Sequence, residues 1–176
     1  MTDRFATIAA LTLATGLALS MATAAAPGTS ASPLDETAAS LPLVERSARC
    51  FALQAVLAHV AKASRVPRDD PAFRYGADLV MTATARLHLQ GAEPFVLAIV
   101  ESKTGAPIAR LEDISETDAA TVTGLTQPIV RAYMQRLRLP EVPDHSDVLA
   151  LPFIRDDQAS CTDLAEDLKA GTSHGD

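Results

Sequence analysis

Four consecutive residues, Asp144-His145-Ser146-Asp147, contain every side-chain type of a hydrolytic triad. Neighbours in an extended segment point in different directions, however, whereas a nucleophile, a base and an orienting acid must converge through space. A proline-flanked polar turn explains the same residues, so neither catalysis nor a metal site built from His145 with Asp144 or Asp147 is expected. His59, His88 and His174 are scattered, and no His-x-x-x-His, His-Glu-x-x-His or Cys-x-x-Cys occurs. Zinc and c-type haem therefore have no signature. Met81 and Met134 read as gap-filling methionines rather than haem ligands. There is no GxGxxG and no P-loop. The expectation is no catalytic residue, no metal and no cofactor.

The two cysteines are the remaining reactive pair, and their meaning depends on compartment. Residues 1–24 read as a cleaved signal peptide. Arg4 supplies the positive n-region, weakened by Asp3, and an apolar run follows from Phe5 to about Ala18. Ala22-Thr23-Ala24 then offers a small-residue cleavage site. Cutting after Ala24 avoids placing Pro27 next to the scissile bond. The segment is barely long enough to span a bilayer and no Lys or Arg stop-transfer cluster follows it. No stable membrane anchor after cleavage is expected, and the address is the bacterial periplasm or the outside. There Cys50 and Cys161 form the natural disulfide. Closing a loop of 111 positions stabilises by about 4–5 kcal/mol in the chain-entropy picture.

The elements that must bring those cysteines together read as helices. Residues 25–39 are small and polar and are expected to be a disordered leader. A first helix from about Leu41 to Ser64, capped by Ser40, puts Leu43, Cys50, Leu53, Leu57, Val60 and Ala61 on one stripe. Glu45, Ala52, His59 and Ala63 lie opposite. Asp70-Pro71 starts a second helix that runs to about Gln90, with Gly91 to end it. Its expected core face is Phe73, Gly76, Ala77, Val80, Ala83 and Leu87. The apolar run Phe95 to Val100 is read as a short buried helix between Pro94 and Gly105, with a hairpin over residues 95–111 as the alternative.

Ser115 and Asp118 resemble a capping box. The helix they open holds Val122, Leu125, Ile129, Tyr133 and Leu137 on one stripe to about Leu139. Pro128, one turn after Gly124, predicts a kink or break near Thr126. Three prolines make residues 140–157 an irregular crossing segment. A last short helix is capped by Ser160 and carries Cys161, Leu164, Ala165 and Leu168 on one face; residues 172–176 are a flexible tail. The fold class is therefore all-α, a compact irregular bundle of four to six helices in one domain over residues 40–171. Its first and last helices are joined by the disulfide.

Charge is uneven. The net charge is −7, and residues 140–176 carry nine carboxylates against Arg155 and Lys169. If Cys161 bonds Cys50, this acidic segment lies back across the first helix, where Asp157 can meet Arg46 or Arg49. Arg131 and Arg138 share an outward face with Gln127 and Gln135 and could dock an anionic partner or receive the acidic segment. Without interleaved aromatics or a basic balance, nucleic acid is not a partner. The leading expectation is a non-enzymatic protein-interaction or binding module with a protein partner, its candidate surface including Arg131, Arg138, Arg46 and Arg49. A carrier of a small apolar ligand, with a pocket lined by Phe73, Val80, Leu87, Ile129 and Tyr133, is one alternative. An enzyme whose site is illegible in the sequence is the other.

Overall fold

The computed structural model describes residues 32–64, 71–108, 110–138 and 144–172. The expected signal peptide over 1–24 and residues 173–176 of the expected tail lie outside these residues, as do Asp70, Pro140 and Pro143. Among the described residues there are six α-helices and no strand. They are α1 (Leu43–Ala63), α2 (Pro71–Gly91), α3 (Glu93–Thr104), α4 (Glu116–Arg136), α5 (His145–Ala150) and α6 (Pro152–Thr172). The protein is all-α, and Cys50 of α1 bonds Cys161 of α6, with Cα atoms 5.4 Å apart.

Helix α1 is the axis of the bundle, packed against α2, α3, α4, α5 and α6. The expected single stripe is therefore too narrow. Ala52, placed opposite it, is fully buried, as are Ala55 and Val56. Alanines on the remaining faces let neighbouring helices approach from several sides while side chains stay close-packed. Phe51, Leu53, Leu57, Val60, Phe95, Ile99 and Tyr133 supply the bulk of the core.

The apolar run at Phe95 is helical. Pro94 occupies the first turn of α3, and Gly105 ends it at φ 71°, donating its N–H to Glu101 O at 2.8 Å. That left-handed position is where glycine is favoured. Ser115 caps α4 as expected: its hydroxyl oxygen accepts from Asp118 N at 3.1 Å and its O–H donates to Asp118 Oδ2 at 2.6 Å.

Helix α4 does not break at Pro128; it runs unbroken for 21 residues. The carbonyl that loses its partner belongs to Gly124, four positions earlier and exposed to water, so its hydrogen bond is replaceable. Thr126 Oγ1 donates to Val122 O at 2.8 Å and Thr123 Oγ1 to Ala119 O at 2.9 Å, holding the preceding turns.

Three further expectations change. Residues 32–40 of the expected leader are structured: a turn and a 3-10 helix (Ala38–Ser40) lie on the body, with Leu34 and Ala38 buried. Helix α1 begins at Leu43 after Pro42 without a side-chain cap from Ser40. The last helix is not short. It starts at Pro152 and runs for 21 residues, so the segment expected to be irregular already contains α5 and the first turns of α6.

Candidate functional site

The polar centre of the molecule is Arg49, Asp157 and Tyr133, contributed by α1, α6 and α4. Arg49 Nη2 donates to Asp157 Oδ1 at 2.8 Å and Oδ2 at 3.0 Å, and Nε donates to Oδ2 at 3.2 Å. The Tyr133 hydroxyl donates to the same Oδ2. Both charged side chains are only 5% exposed, so each is costly to bury alone and is tolerable because the other neutralises it. Burial works against the Arg49 charge, but the Tyr133 oxygen and the Asp157 carboxylate outweigh it and hold the pKa above the usual arginine value. Burial, reinforced by the adjacent carboxylate, drives the Tyr133 pKa upward, so its phenol stays protonated.

Of the two arginines expected near Asp157, the structure chooses Arg49. Arg46 is half-buried and instead donates Nη2 to the Ser160 carbonyl at 3.1 Å. Arg49 Nη1 also donates to the carbonyls of Pro33 and Glu36. One guanidinium thus ties α1 to both the terminal helix and the leader.

That tie builds a groove of about 410 Å³ between the leader, the start of α1 and the middle of α4. Its floor is apolar, with Val44, Ala48, Leu125 and Ile129, and its rim carries Asp35, Glu36 and Glu45. Asp35 Oδ2 accepts from Ser32 N at 2.7 Å. Among the described residues none of the three rim carboxylates has an ion-pair partner.

A second polar cluster joins α1, α2 and α5. His88 Nδ1 lies 2.7 Å from Gln54 Oε1, and its Nε2 lies 3.1 Å from His145 Nε2. Gln54 Oε1 can only accept, so Nδ1 carries the His88 proton and Nε2 is left as acceptor for His145. His145 was expected in a polar turn; it is buried, with its backbone N–H donating to Ser64 Oγ at 3.0 Å and to Asp144 Oδ1 at 3.0 Å. Burial first, and then the neighbouring His145, push His88 down to about 4. Burial lowers His145 as well, partly offset by Asp144. Two neutral imidazoles are the result. Among the described residues no group of three or more metal-ligating side chains forms.

Compared with known proteins, the chain matches no family, no curated protein and no solved structure. Its function is therefore argued from its own residues.

The arginine surface is not one surface. Arg49 is internal and leaves it, since its charge is spent on Asp157. Arg131 is half-buried on α4, while Arg138 is exposed beyond the helix end at φ 55°. Arg136 is exposed and stacks over the Phe153 ring at 4.4 Å. The expected apolar pocket does not gather either: Val80 and Leu87 are exposed, while Tyr133 is fully buried and bonded to Asp157.

The face of α2 is the largest correction. Gly76, Leu79, Val80, Ala83 and Leu87 all face solvent, with Leu79 at 55%, Val80 at 57% and Leu87 at 67% exposure. The helix turns its opposite arc inward instead, and Ala85 meets Ala58 and Ala61 of α1 in a small cluster with Leu89. Periodicity finds one apolar arc but does not say whether α1 takes it; the arc that α1 takes carries Ala85 and Leu89.

Proposed function

We propose that this is an exported, non-enzymatic interaction module that docks an apolar-faced helix of a protein partner on α2. The observation that carries the reading is the exposed stripe Gly76, Leu79, Val80, Ala83 and Leu87. Its spacing is that of a helix-packing seam, and it is made of residues that soluble surfaces do not gather without use. Gly76 fits the same reading. A Cβ built there meets nothing within 4 Å, so the fold has no steric need for glycine, yet a mid-helix glycine costs about 1 kcal/mol against alanine. A closely approaching partner backbone gives that glycine a purpose. Export is supported by the N-terminal signature and by the Cys50–Cys161 bond. Among the described residues no helix is long and apolar enough to cross a membrane.

The test is site-specific photo-crosslinking in the native exporting cell. A photoreactive residue at Leu87 is expected to capture a partner protein, whereas one at the exposed Gln135 is not. Val80→Glu with Leu87→Glu should abolish the adduct without moving the thermal unfolding midpoint by more than a degree or two. No adduct from position 87, or an adduct that survives the double substitution, would remove the reading.

A further inference from the structure

We propose that the groove between the leader, α1 and α4 binds a small organic cation, an apolar body carrying a primary ammonium or guanidinium group. The proposal is independent of the α2 docking face, since α2 contributes no residue to this groove.

Three features lead to that chemistry. The volume, about 410 Å³, lies within the range of small-molecule sites. The floor of Val44, Ala48, Leu125 and Ile129 gives an alkyl or aryl body a place to leave water. The rim then selects charge. Asp35, Glu36 and Glu45 line the groove, and Arg49, the one basic lining residue among the described residues, is already neutralised by Asp157. The field in the groove is therefore negative, which favours a cation and excludes carboxylates and phosphates.

The kind of cation follows from what the lining lacks. Among the described residues no Phe, Tyr or Trp lines the groove, so they supply no aromatic cage of the kind that holds quaternary ammonium groups. Carboxylates reward N–H donors with short charge-assisted hydrogen bonds. A primary amine or guanidine is thus preferred over its fully methylated counterpart. The groove wall is set by the internal network, because Arg49 holds the carbonyls of Pro33 and Glu36, so the site is largely formed before the ligand arrives.

Four probes of equal chain length decide the matter on the purified, oxidised protein: octylammonium, trimethyloctylammonium, octanoate and octanol. Titrations followed by backbone amide NMR shifts are expected to move the signals of Val44, Glu45, Leu125 and Ile129. Octylammonium should bind about tenfold more tightly than octanol or its trimethylated analogue, and octanoate should not bind. Glu36→Gln with Glu45→Gln changes only exposed side chains and should weaken octylammonium about tenfold. Raising the salt from low to about 0.5 M should weaken it similarly. Octanol or octanoate binding as tightly as octylammonium would overturn the charge assignment. Amide shifts confined to residues outside the groove, or no shifts at millimolar octylammonium, would overturn the site itself.

Discussion

Asp157 receives the Arg49 guanidinium across 108 positions of chain, and each residue lies within one helical turn of a half-cystine. Cys50 follows Arg49 directly, and Cys161 follows Asp157 by one turn of α6. The covalent and ionic links therefore clamp the same crossing of α1 and α6. Neither is a surface feature, since all four residues are buried.

Removing one half of the pair should be severe. Asp157→Ala leaves Arg49 charged and buried, and leaves the Tyr133 hydroxyl without its acceptor. A loss of about 3–5 kcal/mol in urea unfolding is expected. The double replacement Arg49→Met with Asp157→Leu should cost less than Asp157→Ala alone, because it leaves no orphaned charge. A double-mutant cycle reads the coupling directly.

Reduction of Cys50–Cys161 should lower stability by about 4–5 kcal/mol, the loop-closure value for 111 positions. Denaturant midpoints with and without dithiothreitol measure it. Under reduction the Arg49–Asp157 contact and the Arg46–Ser160 hydrogen bond are the polar ties left between α1 and α6. Asp157→Ala should then abolish the cooperative transition rather than merely shift it.

Acid should loosen the α2–α5 junction through His88. Its folded pKa of about 4 lies below the ordinary 6.5. Between those values the unfolded chain binds a proton that the folded chain refuses. Stability from this group is thus complete above about pH 6.5, declines as the pH falls towards 4, and levels off below. The difference in urea midpoint between the wild type and His88→Asn should change across that window and be flat above it. An NMR titration showing His88 near 6.5 would contradict the burial argument.

Two glycines should respond oppositely to alanine. Gly76→Ala adds a methyl group into open space on a helix and should stabilise by about 0.5–1 kcal/mol. Gly105→Ala also meets no neighbour, but it stands at φ 71° and should destabilise by about 1 kcal/mol. Thermal unfolding of both variants separates space from backbone conformation.

The readable parts of this molecule were those decided locally. The Ser115 cap, Pro94 at the start of α3 and Gly105 at its end act within one turn, and their residue types announce them. Cys50 and Cys161 were pairable because a chain with two cysteines offers one intramolecular choice. The less readable parts depended on neighbours far away in sequence. Which arc of α2 is buried depends on the alanines of α1. Whether Pro128 breaks α4 depends on Gly124 being at the surface. Ordering of the leader depends on Arg49 reaching two carbonyls, an interaction without a composition signal. The groove rests on the last of these circumstances, and so was missed; the unmatched acids Asp35, Glu36 and Glu45 near a helix start were its only trace in the sequence. His145 likewise looked like a loop residue until α2 supplied His88.

The bond between Cys50 and Cys161 also governs how the protein responds to proteases. A single peptide-bond scission anywhere between those positions, for instance at the exposed Lys103 in the last turn of α3, leaves two polypeptides still covalently joined. Clipped molecules would migrate as intact ones on a gel until a reductant is added, and the damage would stay concealed within a single particle.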